Sequence, residues 1–388
     1  MSARLRVAVL VRRCMVRGGG AERYAVALIE QLAANHELHV FAQELELADA
    51  RVHFHLVPQW VQRPRWFNQL QFAWSTWRLT RHGFDVVHSH ELSWHGQVQS
   101  IHVLPVARGL LGQAKGVRLA WRALRVMLSP RRLTYWWLER ARMQPQMGRH
   151  IVATSETLAR AVLDQYPQTE AALRVVPPGV DAVPGRAGVE ARTAARATLG
   201  IACTGTWLLF VANDFVRKGL ETLLQAIEGL APAVRLLVVG DGAHRDAMER
   251  KVREAGLQDR VHFLGSMSEM EKAYQAADLL VHPTREDSFG MVVLEAMAHG
   301  LPVVVSAAPY CGISESLRHA ENAWLLDDPR QPTELLAAVQ GILGDPTRYA
   351  HLSSAGIEFA RCHQWSQAAA AMARIYAEVA GDPCVSLA

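Results

Sequence analysis

Short apolar runs alternate along this chain with stretches in which apolar residues recur every three or four positions. In the first half the runs fall at 5–11, 38–42, 52–57, 85–88 and 151–153. In the second half they fall at 207–211, 234–239, 261–264, 279–282, 302–306 and 323–326. Runs this short and this largely apolar suit strands of a buried sheet. Strand and helix patterns in alternation predict parallel sheets with helices packed on them. A break in composition falls at Pro177-Pro-Gly-Val-Asp181 and the Gly/Ala/Arg-rich stretch that runs to about Arg196. Such a stretch suits a connection between two sheets. The predicted architecture is α/β: two doubly wound parallel-sheet domains, 1–180 and 181–365, facing a central cleft. Ligands of such sheets bind at the carboxyl ends of the strands. The tail reads as one helix over 368–379.

Bulk composition narrows the class. At 388 residues and 50% hydrophobic, the chain suits two cores better than one. Its formal charge of +4 is a mild basic excess. The five cysteines, Cys14, Cys203, Cys311, Cys362 and Cys384, are far apart with no CxxC, so neither a disulfide framework nor a zinc site is indicated. A reducing cytoplasm is expected. The amino terminus has only a short apolar run, which reads as a first strand and not a signal peptide. No run of 18 apolar residues exists to span a membrane.

The richest chemistry lies in Asp287-Ser-Phe-Gly-Met-Val-Val-Leu-Glu295, which continues to Gly300-Leu-Pro302. It follows an apolar run and enters a predicted helix. Gly290 lets the backbone approach a ligand closely, and the amides after it can bind an anion. Carboxylates at Asp287 and Glu295 are natural acceptors for sugar and ribose hydroxyls. Asn213-Asp-Phe-Val-Arg217-Lys218-Gly219 follows the run at 207–211: a turn, two adjacent cations, a glycine and a helix, an arrangement suited to a diphosphate. Gly240-Asp-Gly242 reads as a tight turn, because Arg245 stands where a dinucleotide site needs its third glycine. Near the amino terminus, Gly18-Gly19-Gly20 follows the first run and places amides at a strand end.

These segments resemble the retaining glycosyltransferases of family 4, which have the GT-B fold. The family pattern is Glu-x7-Glu around Phe-Gly. Alignment on Phe289-Gly290 makes Asp287 the equivalent of the first Glu, with Glu286 one residue away. The Asp-Phe-x-Arg-Lys-Gly run is similar to the branch of lipopolysaccharide-core glucosyltransferases. The resemblance implies that Arg217 and Lys218 stabilise the leaving diphosphate and that Asp287 orients the sugar. It further implies that Glu295 holds the ribose and that the backbone of Phe289, Gly290, Met291 and Val292 contacts the donor. Gly265, Ser266 and Met267 would hold the base, Gly19 and Gly20 would touch the diphosphate or sugar, and His102 would stand beside the reactive sugar. It places donor binding in the second domain and acceptor binding in the first, with the final helix (366–388) crossing back onto the first.

Histidines cluster at His88, His90, His95 and His102, but no Asp or Cys at ligand spacing accompanies them. No metal is expected, and the donor, UDP-glucose in the first instance, is a substrate and not a cofactor. Between Arg108 and Arg149 lie ten Lys/Arg and a single acid, Glu139. Leu110, Ala114, Val117, Trp121, Leu124 and Leu128 recur there at helical spacing. Lys115, Arg118, Arg122 and Arg125 each follow one of them, and Arg131-Arg132 and Tyr135-Trp136-Trp137 come next. This pattern predicts attachment to an anionic membrane surface. No nucleic-acid motif accompanies the charges.

The expected function is hexose transfer, glucose foremost, from a UDP-sugar to a lipopolysaccharide core or other lipid-linked glycan. The expected place is the cytoplasmic face of the inner membrane. Two alternatives stand beside it. One is a mannosyl- or N-acetylglucosaminyltransferase for a lipid carrier or exopolysaccharide. The other is a non-catalytic nucleotide-sugar-binding protein at the membrane.

Overall fold

A computed structural model describes residues 4–15, 18–110, 121 and 124–381. The chain divides into two compact units. The first comprises 1–178 together with 365–388, and the second 179–364. In the first unit the strands are β1 (Arg6–Leu10), β2 (Arg13–Cys14), β3 (Glu37–Ala42), β4 (Glu44–Leu45), β5 (Val52–Leu56), β6 (Val86–Ser89), β7 (Val98–Ile101), β8 (His150–Ala153) and β9 (Leu173–Val175). Seven of them make one parallel sheet in the order β5-β3-β1-β6-β7-β8-β9, and β2 and β4 pair separately. The second unit has β10 (Thr206–Val211), β11 (Val234–Val239), β12 (Val261–Gly265), β13 (Leu279–His282), β14 (Val303–Ser306) and β15 (Trp324–Leu326), ordered β12-β11-β10-β13-β14-β15. The two α/β sheets are those the apolar runs predict.

In both sheets the strand order reverses once, between β1 and β6 and between β10 and β13. Loops on either side of such a reversal diverge and leave a crevice at the carboxyl ends of the strands. The loops that follow β1 and β10 carry Gly19 and Arg217-Lys218, so each candidate motif stands at a reversal point. Residues that alternate along β10 and β11 enter two separate apolar clusters, one on each face of the second sheet. Both faces are therefore covered, which is why those strands read as apolar runs, interrupted only by Arg235 in β11.

Two strands escape the hydropathy reading. β7 is Val-Gln-Ser-Ile, with Gln99 and Ser100 almost fully buried. Their burial is tolerable because Ser100 Oγ lies 2.7 Å from His88 Nε2, and Gln99 Nε2 donates to the carbonyls of His95 and Gly96. The short β9 is only half-buried. The Gly/Ala/Arg-rich stretch is also more ordered than a connection. It contains helix Val189–Thr198, whose Arg196 is buried and bridges Asp278 Oδ2 at 2.8 Å and the Ala276 carbonyl at 2.9 Å. Those partners lie some eighty residues away, out of reach of a local pattern. The carboxy-terminal helix, Trp365–Ala380, packs on helix Gly20–Leu32 within the first unit.

Candidate active site

The second unit's site begins with a glycine. Gly219 has φ +79°, and a Cβ built there would lie 2.0 Å from the carbonyl oxygen of Pro283. The turn after β10 therefore presses directly on the turn after β13, which only glycine permits. Arg285 N completes the contact by donating to the Arg217 carbonyl at 2.9 Å. Lys218 is thereby carried to Asp287: Nζ is 2.5 Å from Oδ2 and 3.2 Å from the Glu286 carbonyl. Arg217 stays half exposed, with Asp214 at 3.3 Å and Glu286 Oε1 at 3.6 Å. The paired cations thus differ: one is largely buried against a single acid, and the other is half exposed and shared between two.

Asp287 is committed within the protein. Its Oδ2 meets Lys218 and accepts from His282 Nε2 at 3.1 Å, while its backbone N–H donates to the Tyr310 carbonyl at 2.8 Å. Burial pushes its carboxyl up, but the Lys218 ammonium and the His282 ring outweigh that and hold it well below the usual carboxylate range. The group is ionised and serves as the anvil on which Lys218 rests. His282 is a residue the sequence reading missed. It is 1% exposed at the end of β13, and a histidine in an apolar run announces nothing until its partner is seen.

Gly290 has φ +100° and precedes helix Met291–Ala298. A Cβ there would meet Cys311 Sγ at 2.7 Å. Phe289 is buried behind it, its carbonyl accepting from Ile313 N at 2.7 Å. The first amides of this helix therefore open beside the Asp287 turn. Glu295, one turn in, is largely buried, and its Oε2 accepts from Tyr274 at 2.6 Å. Tyr274 is a second residue that sequence reasoning passed over. Met267, Met291 and Val292 pack half-buried against the apolar cluster that includes Tyr274 and Phe289. Gly265 ends β12, with Ser266 exposed next to it. The structure thus gathers Lys218, Asp287, Phe289, Gly290, Met291, Val292 and Glu295 around one helix start, with Met267 on the same apolar cluster.

The first unit carries the remaining candidates. The N–H of Gly19 donates to the Glu22 carboxylate, which folds back over the start of helix Gly20–Leu32. That amide is thus engaged internally. His102 follows β7, and its Nε2 lies 3.1 Å from His90 Nδ1, the rings stacked with centroids 5.3 Å apart. The Tyr24 ring stands edge-on to His102 at 5.1 Å. His88 reaches Tyr376 of the carboxy-terminal helix at 2.7 Å.

Burial keeps these imidazoles neutral. It pushes His88 and His102 down to about 3 and His95 down to about 4, with His102 and Arg142 adding to the effect on His88, Arg142 on His102, and Arg149 on His95. An unfolded histidine titrates near 6.5, so the folded state binds fewer protons below that pH. Stability is full above about 6.5 and falls as the pH drops towards 3. Each neutral histidine contributes a slope of about 1.4 kcal/mol per pH unit. Urea midpoints measured from pH 7 to 4 should fall steeply, and less steeply in His88→Asn. A flat profile in the wild type would show that these rings are not buried neutral.

Comparison with known proteins gives the same two-part division. Residues 18–183 match the model of Glycosyltransferase Family 4, and residues 191–359 match that of Glycosyl transferases group 1. A D-inositol 3-phosphate glycosyltransferase of Xylanimonas cellulosilytica is 33% identical over 240 residues, covering 59% of this chain and 56% of that protein. The chain thus spans about half the length of the curated relatives it matches. WaaG, a glycosyltransferase involved in lipopolysaccharide biosynthesis, superposes with a TM-score of 0.81 at 22% identity, over 95% of this chain and 99% of its own. Anabaena HepE, solved with UDP and glucose, superposes at 0.71 and 18% identity, over 95% of this chain and 98% of its own. The first unit is thus similar to Glycosyltransferase Family 4, the second to Glycosyl transferases group 1, and the fold shared across nearly the whole chain is GT-B.

Proposed function

We propose that this chain is a retaining glycosyltransferase using a UDP-hexose, glucose foremost, and a lipid-linked glycan such as a lipopolysaccharide core. The observation that carries the reading is the Lys218–Asp287 ion pair of 2.5 Å, held at the strand-order reversal beside the start of helix Met291–Ala298. A fixed ammonium, a half-exposed guanidinium and helix amides converge where a diphosphate would lie. Their charges meet the donor without a bound cation, so a chelator should leave turnover unchanged. In the transfer, the bond from the anomeric carbon to the β-phosphate oxygen breaks. The acceptor oxygen then bonds to that carbon on the same face, and the leaving phosphate takes its proton. Lys218 and Arg217 stabilise the charge that grows on the leaving group. Asp287 acts through Lys218, Glu295, held by the Tyr274 hydroxyl, faces the ribose, and Gly265–Met267 hold the base.

Support for UDP comes from HepE, whose structure contains it, and support for a lipid-linked acceptor from WaaG. A second reading has its own observation: the curated relatives are named for D-inositol 3-phosphate. A phosphorylated polyol acceptor would suit the arginine-rich first unit. Titration with a panel of nucleotide sugars, followed by transfer assays on both acceptor classes, decides between them. Glu295→Ala should weaken both UDP and UDP-glucose, whereas Asp287→Ala should spare UDP more and impair transfer. Equal calorimetric losses would refute that division. Failure of both hydrolysis and transfer with a donor that binds would leave a nucleotide-sugar-binding protein.

Membrane attachment belongs to the same proposal. No helix among the described residues is long and apolar enough to cross a membrane. Ala114, Lys115, Val117, Arg118 and Arg122 lie outside the described residues. Beyond them, Trp121, Leu124, Met127, Leu128, Leu133 and Trp137 are exposed, as are Arg125, Arg131 and Arg132. Glu139, the segment's one acid, is 3% exposed and accepts from Ala107 N at 2.9 Å and Tyr166 at 2.8 Å, so it adds nothing to the surface charge. Helix Arg65–Thr80 packs against helix Pro130–Arg142 and exposes Phe67, Trp74 and Trp77. Exposed indoles favour the headgroup layer, and cations there contribute about 1 kcal/mol each. The protein should pellet with anionic vesicles and be released by salt. Changing Arg125, Arg131 and Arg132 to Gln should release it with UDP binding intact. Wild-type pelleting of that variant would place attachment elsewhere.

A further inference from the structure

At one edge of the first sheet, β1, β3 and β5 pair so that Arg6 lies beside Glu37 and His39 beside His53. Alternate residues of a strand share a face, so Glu37 and His39 stand together with His53 and His55 of the edge strand. The rings are packed: His39 lies 4.7 Å from His53 and 5.2 Å from His55, both stacked. One ligand atom from each of Glu37, His39 and His53 falls within 4.8 Å of the other two. These groups sit at the amino-terminal ends of their strands, away from the carboxyl ends that carry the glycine loop and His102.

We propose that Glu37, His39 and His53 form a site for a divalent transition-metal ion, zinc foremost. Two imidazoles and a carboxylate are a donor set suited to zinc, with a water completing the tetrahedron. The tautomer of His39 follows from its neighbours. Nδ1 is 2.9 Å from His55 Nε2, and Nε2 is 2.9 Å from Glu37 Oε1. Without an ion, Nε2–H donates to the Glu37 carboxylate, which only accepts, and Nδ1 accepts from His55 Nε2–H; an ion takes the place of the Nε2 proton, and the tautomer then shifts so that Nδ1–H donates to His55. His55 is then the outer partner that orients a metal-binding imidazole. Bonds of about 2.0–2.1 Å in a tetrahedron put ligand atoms about 3.3 Å apart. Glu37 and His39 need open only slightly, and His53, exposed on the edge strand, has room to close in.

Arg6 competes for the same place. Its Nε lies 3.2 Å from Glu37 Oε1 and 3.3 Å from His39 Nε2. A guanidinium and a metal ion cannot share those two atoms. On binding, Arg6 retains the Gly83 carbonyl, 3.0 Å from Nη1, and the face of Phe84 at 5.1 Å. The site therefore makes two predictions of opposite sign: removing a ligand weakens the ion's hold, and removing Arg6 tightens it.

The test titrates chelator-stripped, tag-free full-length protein with Zn2+ by calorimetry and with Co2+ by visible absorption. The wild type should take up one equivalent at this site, with cobalt bands of a low-coordinate N/O environment. His53→Ala should weaken binding at least about 10-fold, and His55→Ala by about 10-fold through the outer partner. Arg6→Ala should tighten it several-fold. Thermal melts without metal confirm that each variant folds, and His53 is exposed enough to be lost without harm to the core. UDP binding should be unchanged throughout. Absence of binding overturns the proposal. So does binding that His53→Ala leaves untouched, since the ion would then sit on others of the 17 histidines, and so does weakening by Arg6→Ala.

Discussion

Lys218→Ala is expected to lower the rate of sugar transfer by roughly 10²–10³-fold, the usual loss when one charge partner of a transition state is removed. Its side chain is 14% exposed and its ammonium is fixed against Asp287, so little reorganisation is needed as charge develops on the leaving phosphate. Arg217→Ala should act in the same direction. Arg217 is half exposed and shared between Asp214 and Glu286, so it must first leave these partners. The coupling to Asp287 supplies the sharper result. Asp287→Asn removes the charge that holds Lys218, and the double variant should be little worse than Lys218→Ala alone. Full additivity would mean that Asp287 contacts the donor in its own right. Near-normal turnover in purified, folded Lys218→Ala would remove this lysine from the reaction.

Gly219→Ala is expected to reduce the stability of the second unit by about 2–3 kcal/mol, from a left-handed φ combined with a backbone collision. For a unit of this size that is a fall in Tm of roughly 5–10 °C. The built Cβ lies 2.0 Å from the Pro283 carbonyl oxygen, and a backbone atom cannot rotate aside as a side chain can. Relief requires the turns after β10 and β13 to separate, which draws Lys218 away from Asp287. Transfer should therefore fall even at temperatures where the variant is folded. An unchanged melting curve would show that the two turns do not touch as described.

Much of the fold was legible because burial on both faces leaves a mark in every residue of a strand. The runs at 234–239 and 279–282 coincide with β11 and β13. β7 was hidden because its buried residues are polar and are satisfied by partners such as His88, which a hydropathy pattern cannot weigh. Helix Val189–Thr198 was hidden because Arg196 is buried through its link to Asp278, and an arginine reads as surface until that acid is found.

Local sequence determined the elements, the turns and the kinds of chemistry: two cations before a glycine, two acids around Phe-Gly, a basic segment rich in tryptophan. Those properties depend on neighbours along the chain, within reach of a helical turn or a strand. Tertiary structure alone decided which of these groups meet. It set Lys218 on Asp287 and placed His282 behind it. It joined Tyr274 to Glu295 and drew the histidines of β3 and β5 into one stack. Each of these contacts depends on the order of strands in a sheet or on a close approach between loops. That information lies in the packing of distant segments, which the spacing of residues along the chain does not carry.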